Sequence, residues 1–196
     1  MAQPLDTAAL DQLFRTARTY NGYLDTPVTT EQLDAIWELM KYGPTSANCL
    51  PARLVWCVSQ EAKGKLAALA MPANAEKILK APATVIIGMD LEYYEHLPEL
   101  FPHTDARSWF VGNDALIQTT AFRNSTLQGA YFMLAARALG LDTGPMSGFA
   151  NDAVDAAFFA GTKVKSNFIS TLGYGDPASI FERSPRPDFS RFNTIV

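Results

Sequence analysis

Lys41-Tyr-Gly-Pro-Thr-Ser-Ala-Asn-Cys-Leu-Pro-Ala-Arg53 is the stretch on which the interpretation of this chain depends. Gly43-Pro44 predicts the end of a helix, because glycine tolerates the left-handed C-terminal position and proline cannot continue the hydrogen-bond ladder. Polar side chains that can bind the edge of a planar ring follow: Thr45, Ser46 and Asn48. The flanking prolines lower the cost of ordering the backbone on binding. Because Gly, Pro, Ser and Asn also dominate ordinary turns, the stretch indicates either a ligand-binding loop or a polar turn.

Length and composition restrict the class of protein. The chain has 196 residues, of which 48% are hydrophobic and 18% charged, as expected for one compact domain over residues 1–196. A net charge of -4 gives no electrostatic attraction to nucleic acid or an anionic membrane. The first residues lack a basic and then apolar leader, and no apolar run approaches the roughly 20 residues of a bilayer span. We expect a cytoplasmic protein without nucleic-acid or membrane partners.

Common catalytic arrangements are missing from the sequence, including a Walker A loop, a Gly-x-Ser-x-Gly elbow and a His-Glu-x-x-His helix. Cys49 and Cys57 are too few for a disulfide framework and lack the clustered histidines of a zinc site, so we expect reduced packing thiols and no metal. His96 and His103 are single residues in a proline-bearing connection, which favours a surface or pocket role. A protein without an evident acid-base pair can take its reactivity from a cofactor.

Apolar residues recur at helical intervals in six segments. Thr29 and Gln32 form a capping-box pattern at the start of one segment, and Gly140 ends the longest. The predicted helices cover residues 7–17, 30–42, 61–70, 75–80, 114–139 and 152–159. Runs rich in β-branched residues predict interior strands at 54–58, 84–89 and 167–173. The alternation of strands and helices predicts a mixed α/β sheet.

The chain after Asp176 carries Phe181, Phe189 and Phe192 among prolines and arginines. We expect this tail to dock on another surface rather than extend into solvent, because exposed aromatic side chains favour burial.

Four separated blocks of the sequence carry a resemblance to a known family. Residues 44–51 resemble the Pro-Ser-x-x-Asn-x-Gln-Pro segment of FMN-dependent nitroreductases. Residues 41–53, 101–110, 120–124 and 140–149 are together similar to the malonic semialdehyde reductases of pyrimidine degradation. Two positions depart from the general family pattern, since Leu50 replaces its Gln and Ala52 its Trp.

The resemblance implies a nitroreductase-like α/β fold. Its central sheet would be mixed but mainly antiparallel and flanked by helices, with a long core helix and a C-terminal arm that reaches the partner subunit. A homodimer with FMN at the subunit interface is implied, with NADH or NADPH as hydride donor. Flavin would carry the hydride chemistry, while the protein binds, orients and tunes it.

The resemblance also assigns cofactor contacts. The residues implied near the phosphate and the carbonyl edge of the ring are Arg18, Thr19, Asn21, Arg183 and Arg186. Guanidinium suits phosphate because its fork binds two oxygens, although these arginines can equally be solvated surface residues. Asn21 stands where many family members have a basic residue.

Two further groups are implied around the flavin ring. The polar loop would contribute Pro44, Thr45, Ser46 and Asn48. The second group comprises Asn74, Lys77, Met146, Ser147 and Gly148, with the last three facing the ring edge and its N5 atom. Glycine is reasonable there because a missing Cβ lets the backbone approach the ring. Lys77 can instead pair with Glu61 or Glu76 at the surface.

Malonic semialdehyde would require a cation for its carboxylate. Arg53, Arg107 and Arg123 are available, and we favour Arg107 because Trp109 and Phe110 can supply an apolar wall beside it. The alternative is a capped helix start with a surface arginine.

By resemblance, the chain is an oxidoreductase in which NAD(P)H reduces FMN and malonic semialdehyde then accepts the hydride, together with a proton, to give 3-hydroxypropanoate. A broad-specificity nitroreductase or quinone reductase is the alternative enzyme. A flavin-binding carrier protein and an α/β domain without cofactor are the non-enzymatic alternatives.

Overall fold

The computed structural model describes residues 2–196. Within them lie eight α-helices, listed here in chain order: α1 (Thr7–Leu10), α2 (Thr30–Met40), α3 (Gln60–Ala67), α4 (Pro72–Lys80), α5 (Leu97–Leu100), α6 (Asp114–Ala138), α7 (Asn151–Phe158) and α8 (Phe189–Phe192). Shorter helical turns include a π turn at Asp11–Arg15 and 3-10 turns at Ser46–Asn48 and Ala106–Trp109.

Four strands form one sheet in the order β1-β2-β4-β3. Their bounds are β1 (Ala52–Cys57), β2 (Ala83–Asp90), β3 (Asp142–Met146) and β4 (Val164–Gly173). Each pair of neighbouring strands is antiparallel. Within residues 2–196, the parallel component is one isolated bridge between Thr19 and Thr143, a residue of β3. The expected α/β fold with a mainly antiparallel sheet is therefore confirmed.

The sheet lies between two helical layers because β2 is apolar on both faces. Val85 and Ile87 pack in a cluster that includes residues of α2 and α6, whereas Ile86 packs with residues of α3, α4 and α7. This alternation follows the two-residue period of a strand. The sequence of β2 is a continuous apolar run rather than an alternating one, and this pattern predicted an interior strand.

Strand β3 was not predicted. Its sequence, Asp-Thr-Gly-Pro-Met, carries a glycine and a proline, which are depleted in strands. Pro145 is tolerated because β3 pairs only with β4 and lies at the edge of the sheet. The strand ends at Met146, so that Ser147 and Gly148 begin the following loop.

Helix α6 runs for 25 residues through the core. Asn113 caps its start by accepting a hydrogen bond from the Leu116 amide at 3.2 Å, and Gly140 follows its end with φ of 76°. The prediction of one long helix is confirmed, with its end one residue earlier. Among residues 2–196, no helix is both long and apolar enough to cross a bilayer.

Other helix predictions differ at their boundaries. The expected helix over 7–17 is broken, since four α-helical residues pass into the π turn that ends at Arg15. Helix α4 begins at Pro72, three residues before the predicted start, because proline suits the first helical position. The capping box at Thr29 and Gln32 is confirmed by both of its hydrogen bonds.

Candidate functional site

The C-terminal tail docks on the segment that follows the π turn. Arg183 donates from Nη2 to the carbonyl oxygens of Arg15 at 3.1 Å and Ala17 at 2.9 Å. The Arg18 guanidinium donates to the Phe181 carbonyl, and the Asn21 side-chain amide donates to the Ser179 carbonyl at 3.1 Å. These bonds join two segments that lie more than 150 positions apart in the chain.

A cavity of about 420 Å³ opens where these segments meet. We call it the arginine cavity, because four of its lining residues are Arg18, Arg137, Arg183 and Arg186. Thr19 and Asn21 also line it, so five residues that the resemblance assigns to the phosphate end share one space. Glu182 is the carboxylate in the lining. Four clustered guanidiniums favour an anionic ligand, since they repel one another without one.

Arg137 is the member of this cavity that sequence reasoning missed. It lies in the last turn of α6 and donates from Nη1 to the Leu13 carbonyl at 2.9 Å. Burial lowers the pKa of Arg137, while Asp142 raises it and Arg183 lowers it further. Its Nε is buried and has no hydrogen-bond acceptor within residues 2–196. Arg137 nevertheless lines the cavity and adds positive charge to it.

Strand β3 leads from the arginine cavity to a second cluster. Thr19 bridges Thr143 at the start of the strand, and Gly148 lies five residues beyond Thr143. From Thr143 to Met146, the last residue of the strand, three steps of about 3.3 Å span roughly 10 Å, and Gly148 follows in the loop. At the far end, the Gly148 carbonyl accepts from the Asn74 side-chain amide at 3.1 Å and from the Met71 amide at 2.9 Å.

The backbone at Gly148 leaves no room for a side chain. A Cβ there would lie 2.7 Å from the Asn74 amide nitrogen and 2.9 Å from the Met71 sulfur. Asn74 and Lys77 are three residues apart on α4 and therefore project from the same side of that helix. Glu76 pairs with Lys80 at 2.6 Å, and none of the ion pairs within residues 2–196 involves Lys77. Pairing of Lys77 with Glu61 or Glu76 is thus not seen.

Residues 43–51, which we call the proline loop, are strained. Ala47, Asn48 and Leu50 have φ of 49°, 51° and 39°, in the left-handed region that non-glycine residues rarely adopt. The Thr45 hydroxyl accepts from the Leu50 amide at 3.2 Å, and the Asn48 side-chain amide donates to the Leu100 carbonyl at 2.9 Å. Strain of this kind clusters at ligand-binding sites, which favours the binding-loop interpretation over an ordinary turn.

The sequence-predicted residues thus fall into three groups. One lies in the arginine cavity, one lies around Asn74 and Gly148, and one lies in the proline loop. β3 connects the first two groups. The hydrogen bonds of the proline loop run instead to α6, to Leu100, to Arg53 and to Asp90. Within residues 2–196 of one chain, no hydrogen bond joins the loop to either of the other groups.

Arg107 is engaged in an ion pair. Its Nε and Nη2 each donate to the Glu95 carboxylate at 2.7 Å, and both side chains are about half exposed. Bonding to Glu95 raises the pKa of Arg107 and lowers that of Glu95. The Asp105 side chain accepts from the Ser108 amide at 3.3 Å. A capped turn with a surface arginine describes this geometry, and a substrate carboxylate would have to displace Glu95.

The residues around Arg107 are divided between the core and the surface. Phe110 is buried and packs edge-on against Tyr93, with ring centroids 5.2 Å apart. Trp109 is 51% exposed and contacts Phe101. Only Trp109 of the expected pair is therefore available as an apolar wall. Arg53, another candidate, pairs with Asp90 at 2.6 Å.

Both cysteines are buried free thiols, as expected. Burial raises the pKa of Cys49 and of Cys57 to about 11, which makes both poor nucleophiles at neutral pH.

Comparison with known proteins places the chain among redox enzymes. It is 62% identical over 185 residues to a protein of Burkholderia lata, covering 94% of this chain and 95% of that one. It is 56% identical over 193 residues to HadB of Ralstonia pickettii, covering 97% and 98%. Both relatives carry the provisional name NADH dehydrogenase/NAD(P)H nitroreductase.

A solved structure has the same fold. The structure of a nitroreductase from Exiguobacterium sibiricum, in complex with FMN, superposes with a TM-score of 0.86 at 20% identity and covers 100% of both chains. The model of the nitroreductase family matches residues 14–174, and the chain therefore belongs to the nitroreductase family.

Proposed function

We propose that this chain is an FMN-dependent NAD(P)H oxidoreductase. The observation that carries the proposal is the arginine cavity, in which four arginine side chains line one space. A phosphate monoester offers the charge and the oxygens that such a cavity requires. Bound FMN would supply reversible hydride transfer, which the protein's own side chains do not offer.

The residues present fit the cofactor along its length. Arg18, Arg183, Arg186 and Arg137 would hold the phosphate. The Asn74–Gly148 cluster would contact the ring, because the missing Cβ of Gly148 lets Asn74 pack against the backbone and so fixes the Asn74 amide there. Lys77 would place a cation near the ring and favour negative charge there.

A homodimer is part of the proposal because the proline loop lies apart from the other two groups. The exposed side of α6 carries Leu116, Phe122 and Leu127, and Phe122 is 54% exposed. Phe122 and Leu127 line a largely apolar depression of about 470 Å³ together with Arg123. Burying this side against a second copy would remove apolar surface from water and bring one chain's proline loop to the other chain's flavin. The exposed Phe181, Phe189 and Phe192 would dock on the same partner.

Malonic semialdehyde is the acceptor that we propose, on the resemblance in four sequence blocks. Arg107 remains the proposed carboxylate-binding residue, but it would act by exchanging Glu95 for the substrate. A cytoplasmic location belongs to the proposal, since NADH and NADPH are cytoplasmic reductants. The second candidate is a broad NAD(P)H nitroreductase, which is favoured by the names of the relatives and by the ion pair that already occupies Arg107.

Acceptor competition decides between the two. We expect kcat/KM for malonic semialdehyde to exceed that for propanal and for a nitroaromatic by at least tenfold, and Arg107→Ala to remove most of the advantage over propanal. Lys80→Ala, which removes another paired surface cation, serves as the control. Equal kcat/KM values for the two aldehydes, unaffected by Arg107→Ala, would support the broad nitroreductase. Reduction of bound flavin by NAD(P)H without reoxidation by any acceptor would support a carrier.

A further inference from the structure

The strain in the proline loop is concentrated between two fixed points. Ala47, Asn48 and Leu50 are the non-glycine residues with positive φ among residues 2–196. A left-handed conformation is unfavourable for side chains with a Cβ, so it persists only where surrounding contacts enforce it. Asn48 and Leu50 each form one of these contacts themselves, and further contacts act on the backbone on either side of the strained residues.

Helix α6 supplies those contacts from one face. Asn124 Oδ1 accepts from the Ser46 amide at 2.9 Å, and Gln128 Oε1 accepts from the Ala52 amide at 2.8 Å. The Tyr131 hydroxyl donates to the Pro44 carbonyl at 2.9 Å. Spacings of four and three residues align the three side chains along the helix. They hold the backbone at 44, 46 and 52 and thereby bracket the strained residues.

The two amide side chains are themselves fixed. Asn124 is 1% exposed and donates from Nδ2 to the Thr120 carbonyl at 2.8 Å. Gln128 is fully buried, and its Nε2 has no acceptor within residues 2–196. An unsatisfied buried donor is unfavourable, and an apolar side chain of similar size would avoid it. An apolar side chain could not accept the hydrogen bond that Gln128 accepts from the Ala52 amide.

We propose that Asn124 and Gln128 are positioning residues that hold the proline loop in its strained conformation before any cofactor is bound. The inference rests on the proposed function, in which this loop contacts flavin. A loop that is already ordered loses less conformational entropy on binding, so these two buried amides would increase affinity for FMN without touching it.

The test compares Asn124→Leu with Asn167→Leu in the full chain. Asn167 also bonds to α6, through Ser125 and Thr126 at 2.9 Å, but within residues 2–196 it forms no side-chain hydrogen bond to the loop. In flavin-free protein we expect loop amides to exchange hydrogen at least tenfold faster in Asn124→Leu. We expect the Kd for FMN to rise about tenfold, as for loss of one hydrogen bond, with a shifted absorbance maximum of the bound flavin. Asn167→Leu should change none of these.

Two further variants test whether the effect of Asn124→Leu comes from the loop rather than from lower stability. Gln128→Met removes the second fixed point and should give the same pattern if Asn124→Leu does not fold. Ala47→Gly added to Asn124→Leu should recover part of the affinity, because glycine adopts positive φ without strain. A merely structural role for Asn124 would lower stability without such recovery.

The possible outcomes separate this inference from the proposed function. Unchanged loop exchange in both Asn124→Leu and Gln128→Met overturns the inference, as does faster exchange with unchanged affinity for FMN. If the unmodified protein binds no FMN, the proposed function fails. The exchange data then still decide whether the two amides hold the loop.

Discussion

The arginine cavity and the proline loop are built in opposite ways. The cavity is lined by exposed and half-buried cations, and it depends on hydrogen bonds between the tail and the segment around Arg18. The loop is held by buried, uncharged amides of α6. The cavity therefore relies on charge and on docking of the tail, whereas the loop relies on a rigid core helix. Removing charge from the cavity should therefore have the largest effect on FMN binding. Relieving strain in the loop should have the smallest effect.

The largest expected effect is at the cavity. Replacing both Arg183 and Arg186 by Ala removes two guanidiniums, each able to form charge-assisted hydrogen bonds with phosphate. We expect the Kd for FMN, measured by fluorescence titration, to rise by about 100-fold, or roughly 3 kcal/mol. Arg191→Ala is the control, since Arg191 lies in the same tail outside the cavity lining. A change below threefold in the double variant would mean that the arginine cavity does not bind the FMN phosphate.

The ring end of the site should show a smaller effect. In Gly148→Ala the new Cβ would meet Asn74 and Met71, whose flexible ends can shift, so folding should survive. We expect about tenfold weaker FMN binding, roughly 1.4 kcal/mol, because the displaced Asn74 amide loses its position beside the ring. Gly64→Ala is the control, because nothing lies within 4 Å of its Cβ. Equal Kd values for both variants would contradict the assignment of Gly148 to the ring.

Cys49 is a buried residue of the proline loop, so its reactivity shows whether the loop shields it from solvent. Because burial raises its pKa to about 11, the thiolate fraction at pH 8 is only about one in a thousand. In a Cys57→Ala background, we expect alkylation by iodoacetamide to accelerate about tenfold per pH unit between pH 8 and 10. The raised pKa also means that Cys49 favours folding below pH 9 and that this contribution is lost as pH rises toward 11. A labelling rate that levels off near pH 9 would indicate a loop open to solvent.

The smallest expected effect follows from relief of strain at Ala47. In Ala47→Gly we expect the free energy of unfolding in urea to rise by about 0.5 kcal/mol, since the gain at positive φ exceeds the entropy cost of glycine. The affinity for FMN should fall by less than about threefold. The comparison variant is Ala62→Gly in α3, which should lose about 1 kcal/mol. Equal losses in both variants would mean that the backbone at Ala47 is not strained.

Local signals in the sequence were sufficient for much of the fold. The capping box at Thr29, the apolar run of β2 and the long periodicity of α6 each predicted an element that the structure contains. β3 was missed because its glycine and proline are tolerated only at a sheet edge, and edge position is a property of the whole sheet. The short helical segments at Tyr93–His96 and Leu97–Leu100 were missed as well, since they have no apolar period of useful length, whereas the capped turn at Ala106–Trp109 was the alternative considered for Arg107.

The candidate site was predictable where residues follow a pattern and unpredictable where long-range contacts create it. Arg18 and Arg186 were named from the resemblance, and the structure places them in one cavity. Arg137 gave a weaker signal, because an arginine in the last turn of a helix is ordinarily explained by the helix dipole. Asn124 lies 78 positions from its partner Ser46, so only the folded chain reveals that it holds the loop.

Visible absorbance of the freshly purified protein shows whether the arginine cavity and the Asn74–Gly148 cluster together hold a flavin. We expect a yellow protein with about one FMN per chain, released on denaturation and identified by its mass, whose absorbance is bleached by NADH or NADPH without oxygen. A colourless protein that takes up no FMN at micromolar concentration would contradict this expectation.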